Sequence, residues 1–231
     1  MTMSRLSPLV LSVVGDSGAG KTTLIERLIR ELSGRNYRVA AVKHCPRGFD
    51  LDVAGKDSWR FTQAGASGVF LTSPGRVGLI EDIEPVPGLK SIAGHYFSSF
   101  DVVFGEGFSG DKDVAKIVIL RKGVSEHIKT PQDETLAIVS DFEIKADKPV
   151  FDPNDVTGVA DFIEQLLGDE SGGGNSVVLI INERSVPLNA FVQSVIKKVI
   201  IGIVDTLKRE EEKLKEIRLI INVRGDDGWE E

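Results

Sequence analysis

The chain has 231 residues, 41% of them hydrophobic and 27% charged, which excludes a disordered chain and allows a core without staples. A net charge of −7 excludes a general nucleic-acid binder, and one cysteine excludes a disulfide framework or a zinc site built on several thiolates. No apolar run approaches the roughly 18 residues of a membrane span, and the lone cysteine fits a reducing cytoplasm.

Leu9–Val14 reads as a buried strand; it is too short for a signal-peptide core. Lys21–Leu32 has helical periodicity, with Leu24, Leu28, Ile29 and Leu32 on one face and Gly34 as a stop. Strand Arg38–Val42 and helix Ser58–Ala66 follow. Strands Gly68–Thr72 and Val77–Ile80 flank Pro74-Gly75, which suggests an antiparallel pair. Leu89–Phe97 is a helix. Asp101–Gly105, Lys116–Leu120 and Leu136–Val139 are strands, and Val156–Leu167 is an amphipathic helix. Apolar strands alternating with helices predict an α/β fold, a largely parallel sheet in three α/β/α layers. Residues 1–168 form this domain and the Gly/Ser-rich stretch 169–176 is a linker. Residues 177–231 read as a β-α-β module: strand Val177–Ile181, a helix from about Ala190 to Glu212, and strand Ile217–Ile221. Two strands are too few to stand alone, so this module packs on the first domain or forms a dimer contact.

Gly15-Asp-Ser-Gly-Ala-Gly-Lys-Thr22 has the P-loop spacing G-x-x-x-x-G-K-[ST], between a buried strand and a helix as that motif requires. Gly15, Ser17, Gly18, Ala19 and Gly20 form a loop whose N–H groups can converge on one anion. The helix start adds its positive dipole end. Lys21 places a charge on the β/γ phosphates, the Thr22 hydroxyl suits Mg²⁺, and Thr23 reaches an α-phosphate. Ligands of open α/β sheets sit at the C-terminal strand ends. Glu106 is at that end, assigned to the Mg²⁺ shell or to positioning a water. Asp101 lies about 16 Å away along the strand and marks its start. The loop after the second strand holds Lys43 and His44 for an anion, with Asp52 or Asp50 to complete a metal site. Cys45 reads as a small buried hydrophobe. Asp57 or Ser58 is an expected N-cap. Lys56 and Arg60 beside it suit a second phosphate. Ser140-Asp141, at another strand end, offers a carboxylate for guanine N–H groups, although Asn-Lys-x-Asp is absent.

Together, Gly15–Thr23, Lys43-His44, Phe49-x-x-Asp52, Gly55–Ser58 with Arg60, Ala64–Ala66 and Glu106–Phe108 resemble the molybdopterin-guanine dinucleotide biosynthesis protein B (MobB) family. The resemblance spans most of residues 8–168. It implies a P-loop NTPase fold and a dimeric, GTP-binding, Mg²⁺-dependent weak GTPase. Such proteins assist the guanylyltransferase that attaches GMP to molybdopterin. It implies Gly18, Gly20, Lys21, Thr22 and Thr23 at the nucleotide, Asp52 and Glu106 near metal, and Lys43, His44 and Lys56 near phosphate or pterin. Pro46 and Arg47 stand where the family often has further histidines. The alternative from the residues alone is a P-loop kinase acting on a small metabolite, its acceptor held by the loop at 43–60. No nucleic acid or membrane partner is expected.

Overall fold

The computed structural model describes residues 7–49, 52–169, 177, 179–181, 184–186, 188, 190–207 and 217. Six strands, β1 (Leu9–Val14), β2 (Val39–Lys43), β5 (Val102–Glu106), β6 (Ala115–Leu120), β7 (Thr135–Ser140) and β8 (Val150–Phe151), form one sheet in the order β2-β5-β1-β6-β7-β8. Every neighbouring pair is parallel. Parallel strands need crossovers and coverage on both faces, which explains their nearly continuous apolar sequences.

Side chains alternate across this sheet. Leu11, Val13, Val102, Phe104, Ile117, Ile119 and Val139 face one way. They pack under helix α1 (Lys21–Gly34), through Leu24, Ile25, Leu28 and Leu32, and under α4 (Val156–Asp169), through Val159, Ala160, Ile163 and Leu167. At the C-terminal end of α1, Arg35 donates to Glu31 Oε1 (2.7 Å) and Asp161 Oδ1 (2.6 Å) and pairs with Glu164, joining the two helices. These carboxylates hold its guanidinium well above the usual arginine range, foremost through the hydrogen bond to Glu31. The opposite face is covered by α3 (Leu89–Tyr96), whose Leu89 and Ala93 pack with Val103. Farther along, Phe142 and Ile144 lie against Val118, Leu120 and Ile138. The three expected layers are present, the second thinner than the first.

The expected antiparallel pair is β3 (Gly68–Ser73) with β4 (Arg76–Glu81), a separate two-stranded sheet following α2 (Asp57–Gln63). Only Val69 of these three elements is buried. Helix α1 does not stop before Gly34; that residue lies in its last turn, and the left-handed residue beyond is Asn36 (φ 68°). Asn is one of the few residues that adopts that conformation readily. Helix α2 is capped by Lys56 with no side-chain hydrogen bond, so neither Asp57 nor Ser58 is its N-cap.

In the C-terminal region β9 (Leu179–Ile181) pairs antiparallel with β10 (Arg184–Val186), and α5 (Ala190–Asp205) follows. The hairpin was not expected, because three residues are too short for a period-two pattern to stand out. The expected helix end beyond 207, the strand over 218–221 and residues 170–176 of the linker lie outside the described residues. Asp169 belongs to α4. Among the described residues no helix is long and apolar enough to cross a membrane.

Candidate functional site

The phosphate loop joins β1, between its neighbours β5 and β6, to α1. Gly15, Gly18 and Gly20 all have positive φ (152°, 80° and 102°). A Cβ on Gly15 would lie 2.7 Å from the Ile119 carbonyl oxygen, so no side chain fits there. Gly20 caps α1 in the left-handed region, without a side-chain hydrogen bond and without an acid in the first turn. The first N–H groups of the helix thus carry no capping side chain, which leaves a cradle for an anion. Ala19 is buried in the core and anchors the loop, while Ser17, Thr22 and Thr23 are exposed on it.

Lys21 arches back over the loop, its Nζ donating to the Gly15 and Asp16 carbonyl oxygens (3.0 and 2.8 Å). The ammonium is therefore positioned above the cradle, where it can meet a phosphate. The Thr22 hydroxyl donates to Glu106 Oε2 (2.8 Å), across 84 positions of sequence. Lys43 Nζ lies 3.5 Å from Glu106 Oε1; the two residues are in register on β2 and β5. Glu106 is the last residue of β5 rather than a loop residue, so the strand itself aims it.

His44 extends this wall, its N–H donating to the Glu106 carbonyl (2.9 Å) and its ring 5.6 Å from that of Phe108. Gly107 (φ 95°) makes the approach possible: a Cβ there would lie 3.1 Å from His44 O. Asp52 Oδ1 accepts from Ser58 Oγ and Val53 N (both 2.8 Å), while its Oδ2 is buried with no partner among the described residues. Buried polar atoms are normally satisfied, so this oxygen suits a cation or an ordered water. Asp50 lies outside the described residues. Lys56 caps α2, and Arg60 pairs with Asp57 (3.5 Å). Asp101, the strand-start acid, accepts from the Arg38 N–H (2.7 Å) where β2 and β5 begin.

Across the loop, after β6, stand residues that the sequence reading passed over. Ser125 Oγ accepts from the Asp16 N–H (3.3 Å), and Lys129 Nζ donates to both Asp16 carboxylate oxygens (2.6 and 2.9 Å). The hydrogen bond from Lys129 is the main cause that holds the Asp16 carboxyl below the usual carboxylate range. Asp141, beyond β7, accepts from the Lys122 N–H (2.8 Å) and lies 4.0 Å from Arg121 Nε. The available signal was the cluster Arg121, Lys122 and Lys129 just after a buried strand.

The cradle, with Lys21 above it and no acid in the first helical turn, fits the phosphates of a nucleotide. A cation would find Thr22 and Glu106 beside it. Among the described residues no three His, Cys, Asp or Glu side chains group around a metal position. Mg²⁺ needs no such cage, since it usually takes one or two protein ligands together with substrate phosphates and water. Two concavities of about 420 and 550 Å³ open elsewhere, and no residue of the Gly15–Thr22 loop lines either one.

The family described as "Molybdopterin guanine dinucleotide synthesis protein B" matches residues 10–141. A "Molybdopterin-guanine dinucleotide biosynthesis adapter protein" of Haemophilus influenzae is 34% identical over 166 residues, covering 71% of this chain and 92% of its own. A "Putative molybdopterin-guanine dinucleotide biosynthesis adapter protein" of Methanocaldococcus jannaschii is 24% identical over 222 residues, covering 86% and 92%. A crystal structure described as molybdopterin-guanine biosynthesis protein B superposes with a TM-score of 0.54 at 33% identity, over 69% of this chain and 99% of the other.

Proposed function

Since the chain belongs to the molybdopterin guanine dinucleotide synthesis protein B family, we propose that it is a GTP-binding adapter of molybdenum-cofactor maturation with slow, Mg²⁺-dependent GTP hydrolysis. The observation that carries the nucleotide is the glycine cradle with Lys21 poised above it, beside the Thr22–Glu106 pair. The adapter role rests on the relatives, which bear that description.

Gly15, Ser17, Gly18, Ala19, Gly20 and Thr23 hold phosphate oxygens through backbone or hydroxyl groups. Lys21 exchanges its two carbonyl partners for the β and γ phosphates. Thr22, Glu106 and Asp52 would hold Mg²⁺, which would supply neutralisation of phosphate charge. Glu106 positions the attacking water. Lys43, His44 and Lys56 face phosphate or pterin from the β2 side, and Asp141 accepts from guanine. The chemistry is positioning and charge neutralisation, as in other P-loop proteins.

The protein partner is a molybdopterin guanylyltransferase, and the chain works as a homodimer in the cytoplasm. Support for pairing is the apolar side left open by the β3–β4 pair, where Phe70, Val77 and Leu79 point the same way and are all exposed. Monomeric proteins rarely leave such a patch uncovered.

Calorimetry with GTP and ATP, each with and without Mg²⁺, tests the reading. GTP binds more tightly than ATP, and Lys21→Ala weakens binding strongly without lowering the melting temperature. Tight ATP binding with no preference for GTP overturns it, and metabolite-stimulated phosphate transfer would replace it with a kinase.

A further inference from the structure

The two walls of the phosphate loop differ in chemistry. On the β5 side stand Glu106, bound to Thr22, and Lys43. These groups suit a cation and the terminal phosphates. On the β6–β7 side stand Arg121 and Asp141. Because β1 lies between β5 and β6, a ligand whose phosphate end faces Glu106 sends its other end toward Arg121. From β5 to β7 is three strand spacings, about 14 Å.

We infer that Arg121 is the side chain that receives the nucleoside, its planar guanidinium stacking on the aromatic base of a nucleoside triphosphate. This rests on the nucleotide reading above and gives that ligand a direction across the sheet edge. A Cβ on Gly20 would lie 3.6 Å from Arg121 Nη1, so the guanidinium borders the outgoing end of the phosphate loop. Asp141 lies beside it, with Oδ2 4.0 Å from Nε and Oδ1 accepting from Lys122 N at 2.8 Å. The turn that carries Arg121 is itself fixed. Arg121 and Ser125 exchange backbone hydrogen bonds of 2.8 Å each, and Ser125 is tied to the loop through Asp16 N. Yet the Arg121 side chain remains 55% exposed. An exposed guanidinium keeps a planar face for a flat ring, which a lysine in the same place does not offer.

The test titrates the full-length protein, Arg121→Ala and Arg121→Lys with Mg·GTP and with Mg·tripolyphosphate, which has the phosphates and no nucleoside. Arg121→Ala weakens GTP about 3- to 30-fold and leaves tripolyphosphate unchanged. Arg121→Lys stays weak for GTP, because the charge is restored without the plane. The inference is overturned if Arg121→Ala binds GTP like the wild type. It is also overturned if both ligands weaken equally, since Arg121 then contacts phosphate. Wild-type protein that binds tripolyphosphate as tightly as GTP removes the base contact while the phosphate-loop reading stands. Wild-type protein that binds neither removes both.

Discussion

At the scale of single residues, the phosphate loop is held by a residue far from it in sequence. Lys129 clamps both oxygens of Asp16, and this hydrogen bond is the largest cause of the lowered Asp16 pKa. A carboxyl whose folded pKa lies below its unfolded value adds stability above the unfolded value, about pH 4, and loses it as pH falls through the folded value. We expect Lys129→Gln to move the Asp16 carboxyl titration upward toward the ordinary range in carbon-detected NMR. The gap in melting temperature between variant and wild type should persist above about pH 4 and close in stronger acid. An unmoved titration would show that the clamp does not form in solution. The Gly15–Thr22 motif was legible because glycine and lysine spacing is dictated by phosphate geometry. Lys129 and Ser125 were not, because nothing local marks a side chain that reaches back 113 or 109 positions. Lys116 shows the same limit. It reads as the polar start of a strand, yet it is fully buried, bonding to the Asp111 carbonyl (2.9 Å) and the Glu134 carboxylate.

At the scale of elements, strongly periodic segments were readable and short ones were not. The five strands β1, β2, β5, β6 and β7 announce themselves by apolar runs of a type that only a doubly covered sheet accommodates. The two-residue β8 and the three-residue β10 carry too few side chains for any period, whereas β9 falls within the expected strand Val177–Ile181. Helix α5 was readable, and Phe191, Val195, Val199 and Ile203 form an exposed row along it at four-residue spacing. The hairpin strand β10 lies beside α3. All the site residues named above lie between 15 and 141. We therefore expect deletion of residues 177–231 to leave GTP affinity within about twofold. The same deletion should raise binding of an apolar dye, because it uncovers the outer side of α3. A truncated protein that melts cooperatively but has lost GTP binding would mean that the module completes the site.

For the whole molecule, the alternation of apolar strands with helices pointed to the parallel α/β sheet that is observed. What composition does not carry is which faces stay open, since that depends on how elements meet. The side of β3 and β4 that carries Phe70, Val77 and Leu79 is the clearest case; these strands look like buried ones in sequence, yet those three side chains are exposed. If this face joins two copies, Phe70→Glu with Leu79→Glu should convert a dimer to a monomer in sedimentation velocity, with the melting profile of each subunit retained. A dimer that survives both changes would place the contact elsewhere. The sheet order has a last consequence, for the order of synthesis. β1 is made first, but its neighbours are β5 and β6, which end at residues 106 and 120. At about 5–20 residues per second, the phosphate loop waits about 5–20 s on the ribosome for its walls. A nucleotide bound as proposed cannot template the early chain, because the cradle gains both walls only once β6 has been made.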